Sequence, residues 1–356
     1  MSLLFTPLVL KNQTLSNRIV VSPMCQYSAI DGLANNWHLV HLGQFAIGKA
    51  ALIIQEATSV TIDGRISHGD LGLWNDKQIA PLKDIVDFVH QQGSLIGIQL
   101  AHAGRKASTE KPWISRKQIR PDQENGWQTL APSAIPYHVT EHAPVALSIA
   151  QIQQLITAFK DSALRAVQAG YDIIELHGAH GYLIHQFLSP LTNLRTDDYG
   201  GSFENRIRFL VQIIEAVQSV LQQQSLWLRI SATDWADGGW NLQESIRLVE
   251  IVKTMGIEVV DVSSGGAVRH QEIMVKDGYQ VPFAQRIKED TSILTGTVGL
   301  IKRAQQAEQI LQQEQADLIL IGRGFLQNPH LVLQFAYDLG VDIPWPPAYA
   351  RGLETM

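Results

Sequence analysis

The sequence predicts a (β/α)8 TIM barrel preceded by a small hairpin and interrupted by a long excursion after the third strand. Three observations carry this expectation. Short β-branched runs alternate with amphipathic helical segments along the chain, the pattern of a parallel sheet closed by crossover helices. The length, 356 residues, suits a barrel with insertions. Polar and glycine residues also gather just after the strands, where barrels of this class build their sites. With no composition break, internal repeat or low-complexity tract, residues 1–356 read as one domain.

Leu8-Val-Leu10 and Thr14-Leu15 read as the hairpin, and Ile19-Val-Val-Ser22 as strand one, closed by Pro23. A helix over Trp37–Lys49 leads to strand two, Ala51-Leu-Ile-Ile54, which ends in Glu56-Ala57. His38 and His41, three apart on that helix, read as packing or surface residues because no other ligand type accompanies them. Asp76 is placed to cap a helix bearing Ile79, Leu82, Val86 and Val89 at helical spacing, with Gly93 ending it. Leu95–Leu100 is strand three, and the excursion, about 102–142, follows it with no clear period. Unstructured connections of that length are uncommon unless functional, so this one is expected to cap the barrel mouth. Ser148-x-x-Gln151 forms a capping box, Ile152, Leu155, Ile156 and Phe159 share one face, and Gly170 terminates the helix before strand four. Ser202 opens the next helix and Leu226–Ser231 is strand five. Asn241-x-x-Glu244 caps another helix, closed by Gly256. Val259–Val262, Ile293–Thr295 and Leu318–Ile321 are strands six to eight, with a helix at about 300–313. Prolines 344, 346 and 347 exclude helix and central strand from the C-terminal tail, about 344–356.

Composition excludes several classes of function. A net charge of −6 gives no basic footprint for nucleic acid or an anionic membrane. No apolar run approaches the ~20 residues of a membrane span. The first residues lack the basic flank and cleavage pattern of a secretory signal. A single cysteine, Cys25, excludes an internal disulfide framework and a cysteine-ligated iron–sulfur cluster. These features point to a cytoplasmic protein.

The chemistry collects at the ends of the predicted strands. In Asp172-Ile-Ile-Glu-Leu-His177-Gly-Ala-His180-Gly-Tyr182, alternation places Ile173, Glu175 and His177 on one face. His180 and Tyr182 fall on the loop beyond. Two imidazoles and a phenol can grip a substrate oxygen and deliver a proton. The histidine pair could also bind zinc, although no third and fourth ligand stand at convincing spacing. Strand five alternates Trp227, Arg229 and Ser231 against Leu228 and Ile230. An inward Arg229 needs an anion, supplied by an anionic cofactor ring or by a core carboxylate such as Glu175. Thr295-Gly296-Thr-Val-Gly299 and Gly322-Arg323-Gly324 stand at the two strand ends where barrel phosphate sites are frequently built.

With these pieces in view, the chain resembles the old yellow enzyme family of FMN-dependent oxidoreductases over nearly its whole length. Asn17-Arg18-Ile19, Gln99-Leu-Ala-His-Ala-Gly-Arg-Lys106 and His177-Gly-Ala-His180-Gly-Tyr182-Leu carry the likeness. The most specific piece is the run Asn193-Leu-Arg195-Thr-Asp197-Asp-Tyr-Gly200-Gly-Ser-Phe-Glu-Asn205-Arg206, expected to be scaffold. Pro23-Met-Cys25-Gln-Tyr27 resembles the cysteine-containing, thermophilic-like bacterial branch.

The resemblance implies an NAD(P)H-driven ene-reductase. It implies that Ser22, Pro23, Met24 and Cys25 line the flavin, with Cys25 near N5 and O4. Ala57 and Gln99 would bind the pyrimidine side, Arg229 would face the N1–C2 end, and Gly296, Gly322 and Arg323 would hold the phosphate. His177 and His180 would bind the oxygen of an activated alkene, Tyr182 would donate the proton, and Tyr27 would touch substrate. For Cys25, an inert buried thiol is the alternative. The Tyr349-x-Arg351-Gly tail resembles one that completes a neighbouring subunit's site, so a homodimer or homotetramer is expected. Here Leu353 stands where a tryptophan is commoner. The rival readings are a zinc hydrolase on the same fold and a non-catalytic FMN-binding protein.

Overall fold

A computed structural model describes residues 2–355. Eight parallel strands close into a barrel: β1 (Ile19–Val21), β2 (Leu52–Ser59), β3 (Leu95–Ala101), β4 (Ile173–Gly178), β5 (Ser225–Ser231), β6 (Ile257–Ser263), β7 (Leu294–Thr297) and β8 (Leu318–Ile321). Each pairs with its sequence neighbour, and β8 pairs back onto β1. The longer helices around them are α1 (Asn36–Ile47), α2 (Ile79–Gln91), α3 (Ile149–Ala169), α4 (Phe203–Gln218), α5 (Leu242–Thr254), α6 (Val281–Thr291), α7 (Ala304–Gln312) and, after β8, α8 (Leu331–Asp338); Leu183–Leu188 and Arg323–Gln327 are short helices after β4 and β8. The antiparallel hairpin Leu8–Val9/Thr14–Leu15 precedes the barrel, as the sequence predicts.

Strand alternation divides the core in two. Val20, Leu52, Ile54, Ile173, Trp227, Val259, Leu318 and Leu320 form one cluster, the barrel interior. Their alternate neighbours, among them Ile53, Ile98, Ile174, Leu228, Val260 and Ile319, pack with the helices in the other. Interior positions turn polar toward the C-terminal ends of β3 to β6. Gln99 is in register with Glu175, His177 with Arg229, and Arg229 with Asp261.

The caps follow the sequence with one correction. Ser148 accepts from the Gln151 amide, Ser202 from that of Asn205, and Asn241 from those of Gln243 and Glu244. Gly170 ends α3 in the left-handed region, φ 93°. Asp76, however, is not a cap. Asn75 accepts from the Lys77 amide and shares a capping box with Gln78, opening a 3₁₀ turn over Asp76–Gln78 that feeds α2. An Asn one residue upstream supplies the acceptor in extended geometry, while Asp76 is already helical and binds Arg165 at 2.8 Å.

His38 and His41 are packing residues. Both are buried, His38 Nδ1 accepts from the Asn35 amide, and burial pushes each pKa down to about 4. The excursion extends beyond 142 to the cap of α3. A 3₁₀ turn at Gly104–Lys106 and a parallel pairing of Leu130–Ala131 with Val145–Ala146 organise it. The Trp127 indole donates to Asp63 O, and Arg195 donates to Pro132 O and Leu147 O. Arg195 also forks onto Asp197, and Asn193 bridges Phe187 O and Tyr199 O, so the run that marks the resemblance ties the loop down. The tail departs from expectation: Pro347–Thr355 is 3₁₀ helix. Proline is tolerated in a first helical turn, where its missing N–H would have no intrahelical partner.

Candidate active site

The loop after β1 begins at Ser22, whose amide donates to Ile321 O. Its hydroxyl is buried with no partner among the described residues. Glu56, buried in β2, accepts from the Gln26 amide at 2.8 Å and so fixes the loop that carries Cys25 and Tyr27. Burial pushes the Cys25 thiol up, and the carboxyls of Asp70 and Glu56 push the same way; hydrogen bonds from the Ala57 amide and the Tyr27 hydroxyl oppose them only in part. Cys25 is therefore a thiol at neutral pH. Tyr27 has φ 51°, and its phenol is held protonated by burial first and then by the neighbouring Cys25 and Tyr182. Cys25, Tyr27 and Tyr182 thus form one cluster.

The loop after β4 is held from three sides. The His180 amide donates to Ser231 Oγ, and His180 Nε2 lies 2.7 Å from Ser263 Oγ. Gly181 has φ 70°, and a Cβ there would come within 2.0 Å of Gly266 O, so only glycine fits. Its amide donates to His185 Nδ1 at 2.9 Å, and His185 Nε2 stands 2.8 Å from Asp234 Oδ1 in a fully buried pair. Because Nδ1 accepts, the proton is on Nε2, where it faces the carboxylate. Lys106, from the start of the excursion, donates to His180 O and Gly266 O and lies 5.1 Å from the centre of the Tyr182 ring. Burial, with Arg105 beside it, lowers the Lys106 pKa to about 8.

The three predicted rings do come together. The His177 centroid is 5.3 Å from that of His180 and 4.9 Å from that of Tyr182, both edge to face. Burial and then the Arg229 charge hold both histidines well below the usual imidazole range, so they are neutral. His177 Nδ1 is buried with no partner among the described residues. Burial holds the Tyr182 phenol protonated.

Beside them lies a cleft of about 580 Å³, lined by Ser22, Pro23, Met24, Arg229, Gly322 and Arg323 among others. Its lining also includes Gly299, from the glycine run after β7, with Tyr279 and Lys302, neither of which the sequence singles out. Gly296 lies within β7 rather than on the lining, where a Cβ would strike Leu320. Gln99 is buried and donates to Glu175 at 2.7 Å. Arg229 meets a carboxylate, but the partner is Asp261 at 2.8 Å and not Glu175. Asp261 lies directly opposite Arg229 on the next strand, and its place between Val260 and Val262 was the available signal. Arg351 is exposed and lies outside the cleft of its own chain.

These residues suit FMN. An unpartnered Ser22 hydroxyl, a guanidinium in the cleft and a glycine, Gly322, whose missing Cβ leaves ordinary contacts of 3.5 Å and more make an open cradle. Exposed Arg323 and nearby Lys302 offer charge for a phosphate at its rim. Among the described residues, no three His, Cys, Asp or Glu side chains converge as metal ligands.

A parallel barrel with this cradle and a His–His–Tyr cluster at its C-terminal end defines a flavin-dependent oxidoreductase. The NADH:flavin oxidoreductase / NADH oxidase family model matches residues 3–341, so the chain belongs to that family, the old yellow enzyme family. It is 47% identical over 350 residues, 98% of this chain and 96% of the relative, to an NADPH dehydrogenase of Bacillus cytotoxicus. Morphinone reductase in complex with tetrahydroNAD superposes with a TM-score of 0.79 at 28% identity, covering 97% of this chain and 93% of that one. A 2-naphthoyl-CoA reductase superposes at 0.85 with 22% identity, a likeness of fold alone; 94% of this chain matches 52% of that one. The protein is an FMN- and NAD(P)H-dependent enzyme, and the zinc-hydrolase and non-catalytic alternatives fall. No helix among the described residues is long and apolar enough to cross a membrane.

Proposed function

We propose that this enzyme reduces activated alkenes, enones or nitroalkenes, with NAD(P)H as the hydride source. The observation that carries this reading is a neutral imidazole, His177, packed edge to face on both a second neutral imidazole, His180, and a protonated phenol, Tyr182, beside the flavin cradle. Ser22, Pro23, Met24, Arg229, Gly322 and Arg323 would hold FMN, with Ala57 and Gln99 on its pyrimidine side and Gly296 beneath the phosphate loop. Bound there, FMN would supply the redox chemistry, accepting hydride from NAD(P)H and passing it through N5 to the β-carbon of the alkene. His177 and His180 donate hydrogen bonds to the carbonyl or nitro oxygen, where charge builds. Donors of this kind are worth about 2.7–4 kcal/mol each. The Tyr182 hydroxyl gives its proton to the α-carbon, so one hydride and one proton complete the reduction. Lys106 stabilises the phenolate left behind, and Tyr27 contacts the substrate.

The direct test is anaerobic. NADPH is expected to bleach the bound flavin and an enone such as cyclohex-2-enone to restore its colour. Restoration by oxygen but not by enone or nitroalkene would remove the alkene reading.

Cys25, a thiol beside Tyr27 and Ala57, tunes the flavin in this reading and binds no substrate. Cys25→Ala is expected to shift the flavin's reduction potential while FMN stays bound. An unchanged potential leaves Cys25 as packing.

We also propose a homodimer or homotetramer in which Arg351 enters the partner's site. In support, the exposed Arg351 follows Tyr349, whose ring lies 5.4 Å from His330. Deleting residues 349–356 is expected to weaken substrate binding more than thermal stability. A monomeric, fully active truncation contradicts the idea.

A further inference from the structure

A second cleft, of about 760 Å³, opens on the excursion and the loop after β6. It is lined by Arg116, Lys117, Arg120 and Arg269, with His138 and His142, and by one carboxylate, Glu141. Arg120 is paired with Asp122 at 3.4 Å, and Glu141 accepts from the His138 amide. Arg116, Lys117 and Arg269 have no ion-pair partner among the described residues. In a chain of net charge −6, this local concentration of unpaired cations favours a multiply charged anion.

Its position narrows the choice. The Arg269 guanidinium lies 5.8 Å from the centre of the Tyr137 ring, the Lys106 ammonium 4.7 Å from the same ring, and Lys106 in turn 5.1 Å from that of Tyr182. The cleft therefore begins one aromatic ring beyond the proposed proton donor, on the excursion that covers it. A dinucleotide with its nicotinamide at the flavin carries its adenosine end away from the reacting atoms. We infer that this basic cleft binds the 2′-phosphate of NADPH and sets the preference for NADPH over NADH. The inference rests on the nicotinamide entering beside Tyr182, as the proposed function requires. Guanidinium groups suit a phosphate monoester, with its charge near −2 and its several acceptor oxygens.

Stopped-flow reduction of the flavin in the holoenzyme, with each nicotinamide, tests it. Arg116→Gln/Arg269→Gln is expected to weaken the apparent affinity for NADPH by roughly 10- to 100-fold, the loss of one or two charge-assisted bonds, and that for NADH by less than about twofold. Because Arg269 also packs on Tyr137, Lys117→Glu, which touches no ring, must move the ratio the same way. Equal weakening for both nicotinamides would assign the cleft to the shared pyrophosphate and overturn the inference, as would no change for either. Binding of adenosine 2′,5′-bisphosphate against adenosine 5′-phosphate, measured by calorimetry on the holoenzyme, gives an answer independent of turnover. Preference for the bisphosphate, lost in the variants, is expected. Equal binding of the two nucleotides overturns the cleft assignment even if alkenes are reduced, and a preference would stand even if alkenes are not.

Discussion

Replacing Tyr182 by phenylalanine is expected to slow alkene reduction by about 10²–10⁴-fold, the usual range for a lost general acid, while flavin reduction by NADPH stays within a few-fold of wild type. The asymmetry follows from the chemistry. Hydride transfer into the flavin requires no proton from the protein, whereas saturating the alkene does. Burial keeps the phenol protonated at neutral pH, so the donor is always loaded. The cost of forming a phenolate in so dry a place falls on Lys106, whose ammonium faces the ring. Its pKa is pushed down to about 8, so the cation should be lost as the pH rises through that value. Alkene reduction is therefore expected to decline above about pH 8 in the wild type, with flavin reduction less affected. Because phenylalanine keeps the edge-to-face contact with His177, loss of packing does not explain a selective effect. Equal slowing of both half-reactions by Tyr182→Phe would refute the assignment.

The barrel was legible because its signals are local and repeated. A run such as Leu318-Ile-Leu-Ile321 can only be a buried strand, and Ser148, Ser202 and Asn241 cap where their spacing says they should. The His177–His180–Tyr182 cluster was legible for the same reason, since its members lie within six residues and a strand's alternation orients the first of them. What was hidden depends on pairs distant in sequence. Asp261 gains its meaning only from the register that sets it against Arg229, and Ser263 only from the approach of His180. Lys106 lay in the motif that carried the resemblance, yet nothing local says that its ammonium reaches two carbonyls across the mouth. The buried His185–Asp234 pair was missed because each residue alone reads as ordinary helix or loop. The helical tail is hidden because proline, which disfavours a helix interior, is tolerated in a first turn such as that opened by Pro347.

The other large effect is expected at Arg229, where two roles can be separated. Its guanidinium lines the flavin cleft and lies 2.8 Å from Asp261, with Glu175 also buried nearby. One cation cannot balance two carboxylates. Burial first, with Asp261 adding to it, raises the Glu175 pKa to about 8. Burial raises that of Asp261 as well, but Arg229 at 2.8 Å opposes it, so the proton stays on Glu175 and Asp261 is the carboxylate that pairs with the guanidinium. Arg229→Met would leave that charge buried and unpaired, destabilising the fold by about 3–5 kcal/mol. It would also remove the cation facing the cofactor. Replacing both partners, Arg229→Met with Asp261→Leu, should return most of the stability, because a well-packed apolar pair can substitute for a buried ion pair. It should not return the flavin's potential, which on the proposed role of Arg229 the cation would raise by favouring the negative charge of the reduced ring. Thermal unfolding and potentiometry on the same two variants therefore give opposite answers if Arg229 acts on the cofactor. A double variant that regains both stability and potential would show that the guanidinium serves only to neutralise Asp261.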